Sequence, residues 1–233
     1  DRAQNDPDLE CCICLENLSK DATQFARLTC CGQGMHFHCY DDLRSMTMSG
    51  SCPLCRAKTP TSPEEHIKQL RPWVKKKKAW AQAHMAQKYY QGNGVKQSYK
   101  IARMLYELAA EQGYVSATYS LGIMYRDGKG VEKSNEKAFE YYEQAADLGH
   151  VSAQYNLGNM YYKGLGVEQS YARAKEYYEL AVEQGHTEAM SCLAGLYANG
   201  QGVERDLTKA RELFTNSAEQ GNENAIKYLK QLD

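Results

Sequence analysis

From residue 79 onward, apolar positions recur at helical spacing and then break off, in one pattern written four times. In 115–150, Ala117, Leu121, Met124 and Tyr125 share a stripe, the spacing of a half-buried helix. Gly128-Lys129-Gly130 stops it, because glycine weakens helices and opens left-handed turns. A second stripe of Ala138, Tyr142 and Ala145 follows Ser134, whose hydroxyl is placed to cap unpaired backbone N–H groups. Gly149 then stands where a left-handed residue would end the helix. The unit reads as a helical hairpin.

The pattern repeats without insertion over 79–114, 115–150, 151–186 and 187–222, each 36 residues long. Tyr89, Tyr125, Tyr161 and Tyr197 form one column, and Ala102, Ala138, Ala174 and Ala210 another. Gly-x-Gly-Val recurs at 92–95, 128–131, 164–167 and 200–203, and Ser98, Ser170 and Asp206 match Ser134. Small residues at Gly122, Gly158, Ala138 and Ala174 favour close helix approach. No single hairpin buries its own stripe, so the units are expected to stack as a solenoid, with 223–233 as a terminal cap helix.

These units (Ala-x-x-x-Leu-Gly-x-x-Tyr-x-x-Gly-x-Gly-Val, then Lys-Ala, Tyr-Tyr, Ala-Ala and Gly) resemble the Sel-one-like repeats, relatives of tetratricopeptide repeats, across 79–222. The resemblance implies an α-solenoid scaffold that holds protein partners and has no chemistry of its own.

Ahead of the array, 61–78 reads as a basic helical connector. Ser62-Pro63-Glu64-Glu65 starts a helix, with a cap, a first-turn proline and acids at the positive dipole end. Pro72 is expected to interrupt or kink it before Trp73. Ile67, Leu70, Trp73 and Trp80 are expected to seal the N-terminal end of the solenoid. The Lys75–Lys78 run is read as a solvated helix face.

Composition adds little until charge and cysteine are mapped. The chain has 233 residues, 42% hydrophobic and 24% charged, with net charge −1. That length supports one or two cored domains. Residues 1–60 carry 6 basic and 8 acidic side chains, 61–78 carry 6 and 2, and 79–233 carry 16 and 19. Near-neutral balance argues against a nucleic-acid partner, and no apolar run approaches the ~18 residues a membrane span needs. No Ser/His/Asp set, phosphate loop or paired carboxylate stands out. Eight of nine cysteines, however, lie within 11–55.

Their order is Cys11-Cys12-Ile13-Cys14, Cys30-Cys31, His36-Phe37-His38-Cys39 and Cys52-Pro53-Leu54-Cys55. With no charged-then-apolar leader ahead, this density reads as metal binding rather than disulfides, in a reducing compartment, cytoplasmic or nuclear. Two thiolates on one tight turn reach adjacent tetrahedral corners of zinc, at about 2.3 Å. Eight ligands suffice for two closed zinc sites, and in so short a segment metal would supply most of the folding energy.

Cys11–Arg56 resembles a RING finger. The chain is then a small zinc-stabilised cross-brace RING finger (α+β) at 1–60, followed by an all-α helical-hairpin solenoid at 79–233. The family's interleaving implies Cys11, Cys14, His36 and Cys39 on one zinc, and Cys30, Cys31, Cys52 and Cys55 on the other. The second pair departs from the family's Cys-x-His, which would fall on Cys31 and Gln33; Cys30 replaces the missing ligand. Cys12 and His38 are left as non-ligands. A PHD finger would carry an aromatic residue where Gly50 stands, and a lipid-binding FYVE finger a clustered basic motif.

The RING resemblance implies a ubiquitin-protein ligase with ubiquitin-conjugating enzyme and ubiquitin as partners. Family positions for the conjugating-enzyme dock fall on Ile13, Leu43 and Pro53, with Leu43 where many active members carry Trp. Arg56 falls at the cationic linchpin, where planar guanidinium donors bridge two carbonyls. The solenoid would bind a protein substrate or adaptor through its variable columns, His84/Ser120/Asn156/Cys192, Gln87/Ile123/Asn159/Gly195 and Tyr90/Arg126/Tyr162/Ala198. Arg126 and Tyr162 are the chosen contacts, as Tyr and Arg are favoured at interfaces. Cys192 is expected to be a small buried residue. The alternative is a zinc-binding adaptor without transfer activity.

Overall fold

The computed structural model describes residues 60–230 and the backbone of two short strands, β1 (Phe25–Arg27) and β2 (Gly34–His36). The strands pair antiparallel, Phe25 opposite His36 and Arg27 opposite Gly34. Among the described residues there are ten helices: α1 (Pro63–Lys75), α2 (Ala79–Gln91), α3 (Tyr99–Ala110), α4 (Val115–Asp127), α5 (Asn135–Asp147), α6 (Val151–Lys163), α7 (Tyr171–Glu183), α8 (Thr187–Asn199), α9 (Leu207–Glu219) and α10 (Glu223–Leu229). Each 36-residue unit is one hairpin, giving a helical-hairpin solenoid. The chain divides into two compact units inside α4, the first reaching Leu121 and taking in Lys129–Val131, the second holding Gly122–Gly128 and Glu132 onward.

Local chemistry sets the helix ends. Ser98, Ser134, Ser170 and Asp206 each accept the backbone N–H three residues on, satisfying a donor the helix leaves unpaired. Gly149 sits at φ +83° just after α5, and the Gly-x-Gly pairs also adopt positive φ. The second glycine of each pair is required for space as well: a Cβ on Gly166 would lie 2.5 Å from the Asn135 carbonyl carbon.

In the first unit α1 and α2 pack together, burying Ile67, Leu70 and Trp80 and half-burying Trp73. Trp73 and Trp80 meet at 5.9 Å between ring centroids. Two expectations need correcting. The helix runs through Pro72 to Lys75, since near a helix end proline removes one hydrogen bond and the last turn carries on from its carbonyl, which accepts from Lys76 N–H. The lysine run is also a turn, not a helix face: α1 ends at Lys75, and Lys77 takes a left-handed φ of +56°.

In the second unit, Ala138, Tyr142 and Ala145 are fully buried, as are Ala174 and Ala181. Glycine on the first helix of the second and third hairpins faces an aromatic ring on the second helix: a Cβ on Gly122 would lie 2.6 Å from Tyr142, and one on Gly158 2.5 Å from Tyr178. Phe214 packs with Ala194 and Ala225 and stacks on Tyr228 at 4.0 Å, so α10 closes the last hairpin.

Candidate functional site

Every residue expected to bind zinc (Cys11, Cys14, Cys30, Cys31, His36, Cys39, Cys52 and Cys55) lies outside the described residues, save the backbone of His36. So do Ile13, Leu43, Pro53 and Arg56. The described strand pair sets Phe25 opposite His36 and Arg27 opposite Gly34. Among the described residues no group of His, Cys, Asp and Glu could hold a metal ion, and no helix is long and apolar enough to cross a membrane. The donor chemistry fits zinc: seven thiols and an imidazole are the soft and borderline ligands that closed tetrahedral zinc sites use.

On the array, the two selected contacts differ in setting. Arg126, at the end of α4, is exposed, and its guanidinium is paired to Asp127 at 2.7 Å. Tyr162 is half-buried: its ring meets Tyr171 at 5.3 Å, and its hydroxyl donates to Gln201 at 3.3 Å. Tyr90 is its counterpart in the first repeat, meeting Tyr99 at 5.3 Å with the Lys129 ammonium 5.0 Å from its ring. This column therefore helps hold loops as well as offering surface.

Cys192 is half-buried, and burial pushes its thiol up, away from a reactive thiolate. Tyr178, which donates to Asn159 at 2.9 Å, and Tyr155 are likewise pushed up by burial, as is Tyr106, to about 12. All three stay neutral and serve packing.

One feature escaped the sequence reading. Lys137 lies 5.3 Å over the Tyr125 ring, and Lys209 lies 4.4 Å over Tyr197 while donating to its hydroxyl at 2.9 Å. The signal was available, since a basic residue stands twelve after the Tyr column at 137, 173 and 209. Such cation–π pairs fix long lysines against the array. Lys175, Tyr197 and Lys209, with Val203 and Leu207, line an open groove between the third and fourth repeats.

Comparison with known proteins separates the two parts. The Sel1 repeat model matches 81–114, 115–150, 151–186 and 187–222, and the Ring finger domain model matches 9–56. The comparison with curated proteins finds no match. Among solved structures, a protective antigen of uropathogenic Escherichia coli displaying an SLR fold is 34% identical, with TM-score 0.69 over 76% of this chain. This chain spans only 37% of that antigen's length. A Sel1 repeat protein from Oxalobacter formigenes is 30% identical, with TM-score 0.71 over 76% of this chain and 71% of its own. An immunity protein from Pseudomonas aeruginosa, 21% identical with TM-score 0.52 over 80% of this chain and 65% of its own, shares the fold. With four consecutive repeats matched and a Ring finger domain ahead of them, the chain belongs to the Sel1-repeat family and carries a RING-type zinc finger at its head.

Proposed function

We propose that the chain is a RING-type ubiquitin-protein ligase of three parts: a zinc finger at 1–60, a basic helical connector at 61–78 and the repeat array at 79–233. The observation that carries this is the Ring finger match at 9–56 directly ahead of the Sel1 array. Two zinc ions would be held as the cross-brace implies, by Cys11, Cys14, His36 and Cys39, and by Cys30, Cys31, Cys52 and Cys55. Zinc supplies the fold of the head and takes no part in bond making.

Ile13, Leu43 and Pro53 dock a ubiquitin-loaded conjugating enzyme. Arg56 donates to carbonyls of that enzyme and of ubiquitin, holding the thioester in a closed geometry. The acceptor lysine amine attacks the thioester carbonyl: a C–N bond forms, the C–S bond breaks and the conjugating enzyme's thiol leaves. Orientation supplies the acceleration, so no nucleophile on this chain is needed. The array holds the protein substrate or adaptor, with Arg126 and Tyr162 as contacts, in the cytoplasm or nucleus.

A second reading, a zinc-binding adaptor without transfer activity, is favoured by Leu43 in place of Trp and by Gln33 in place of a ligand. Autoubiquitination with a panel of conjugating enzymes decides, comparing wild type with Arg56→Ala while zinc per chain is counted. Two zincs and ladders that collapse in the variant support the ligase. Two zincs and no ladder support the adaptor, and fewer than two overturn the ligand set.

A further inference from the structure

The groove between the third and fourth repeats stands where the preceding pair of repeats is filled with rings. One period before Lys175 and Tyr197 come Phe139 and Tyr161. There the Phe139 ring meets Tyr161 edge-on at 5.5 Å, and Tyr177 stacks on Tyr161 at 5.6 Å. In the groove lysine replaces Phe139 and Leu213 replaces Tyr177. Lys175 pairs with Glu179 at 3.2 Å, and Lys209 covers a face of Tyr197. An open cavity of about 800 Å³ is left beside the Tyr197 ring.

The loop wall changes in the same sense. In the third repeat Gln169 donates to the Tyr162 carbonyl and to the Tyr171 hydroxyl, and those two rings pack together. Their counterparts are Arg205, Ala198 and Leu207. Arg205 keeps the backbone contact, donating from Nε to the Ala198 carbonyl at 3.0 Å. With no tyrosine hydroxyl to meet, its terminal nitrogens have no partner among the described residues. Four ring positions have thus become Lys175, Ala198, Leu207 and Leu213, and Leu207 is 53% exposed. Of the two acids lining the groove, Asp206 is engaged as the cap of α9, accepting from Lys209 N–H, and Glu204 is exposed.

We propose that this groove takes an aromatic side chain from a protein partner, seated beside Tyr197 as Phe139 is beside Tyr161, with an adjacent carboxylate of the partner bound by Arg205. The partner segment is an aromatic residue next to Asp or Glu. A buried ring is a strong anchor at interfaces, and a free guanidinium fork matches a carboxylate with two parallel hydrogen bonds. The inference rests on the reading that the array holds a protein partner, and it stands apart from transfer activity in the head.

The test titrates the isotope-labelled full chain with a capped Ser-Phe-Asp-Ser peptide to several millimolar, followed by NMR. Shifts should centre on Tyr197, 203–207 and Lys209. They should vanish with Ser-Ala-Asp-Ser and weaken about tenfold in Arg205→Gln. Lys175→Phe rebuilds the seat of Phe139 within the chain and should block the peptide without lowering the urea midpoint, so lost binding is not lost fold. Glu204→Gln removes the opposing carboxylate and should tighten binding. No shifts, shifts centred elsewhere, or undiminished binding to Lys175→Phe would overturn the proposal. Ubiquitin ladders without peptide binding would sink the groove alone, and peptide binding without ladders the ligase alone.

Discussion

Replacing Gly158 with alanine tests whether the glycine on the first helix is there for the ring opposite. In an open helix interior the change gains about 1 kcal/mol. Here the new methyl would sit 2.5 Å from two carbons of Tyr178, roughly 1 Å inside ordinary carbon contact. The ring has little room to yield: Tyr178 is 1% exposed and its hydroxyl is bonded to Asn159. Overpacking of this kind costs about 1–3 kcal/mol, and a displaced hydroxyl forfeits about 1 kcal/mol more. The net expectation is a loss of about 1–3 kcal/mol after the helix-propensity gain. Gly195 supplies the control. It also lies on a first helix, but a Cβ there meets nothing within 4 Å, so Gly195→Ala should gain about 0.5–1 kcal/mol. Urea-unfolding midpoints of both variants, with slopes compared to confirm cooperativity, read the difference. In a Tyr178→Leu background the Gly158→Ala penalty should vanish. If both glycine variants stabilise the protein alike, steric demand at the hairpin interface is not why Gly158 is there.

Other expectations follow from single positions. Lys77 is the one non-glycine residue with positive φ among those described, so Lys77→Gly should gain about 0.5–1 kcal/mol, less than the left-handed strain because glycine also loosens the unfolded chain. A lowered urea midpoint would refute it. His186 caps α8 through Nδ1, which accepts from Ala189 N–H at 3.3 Å while the ring stacks on Tyr155 at 4.6 Å. Burial lowers its pKa, with Glu188 opposing, so the fold favours the neutral ring. That stability is present above the ordinary histidine range and is lost as pH falls through it and below. His186→Asn, the residue that caps α10 at Asn222, should therefore flatten the fall in midpoint between pH 7.5 and 5.5; an unchanged fall would sink the idea. Arg56→Ala should abolish ubiquitin ladders without loss of zinc, as measured on one preparation.

The array was legible because its signals are local and rigidly periodic. A serine before an apolar stripe, a glycine pair after it and a fixed 36-residue spacing each have one physical use, and the helices appear where those uses put them. The head was legible only as donor chemistry. Thiol spacing names zinc, but pairing of ligands between sites is a long-range property that spacing alone leaves open, and it rested on family resemblance. Tyr162 shows a further limit. Variation in a column marked it as surface, yet its hydroxyl and ring also tie neighbouring loops, because a tyrosine serves both ends at once.

Helix α1 shows how a repeat can hide. Its cap, first turn and closing hydrogen bond stand in the register of the later units, yet its composition reads as a connector. At the positions that announce a repeat it carries His66 for alanine, Leu70 for an aromatic ring and Lys77 for glycine. Leucine, smaller than an aromatic ring, needs no glycine opposite it. A lysine in the left-handed position costs stability but places charge at an end that must stay soluble, among Lys75, Lys76 and Lys78. Periodic composition signals a repeat because neighbours on both sides demand it. In α1 the backbone register persists and the side-chain signature does not, so period should be sought in caps and turns before it is sought in the core.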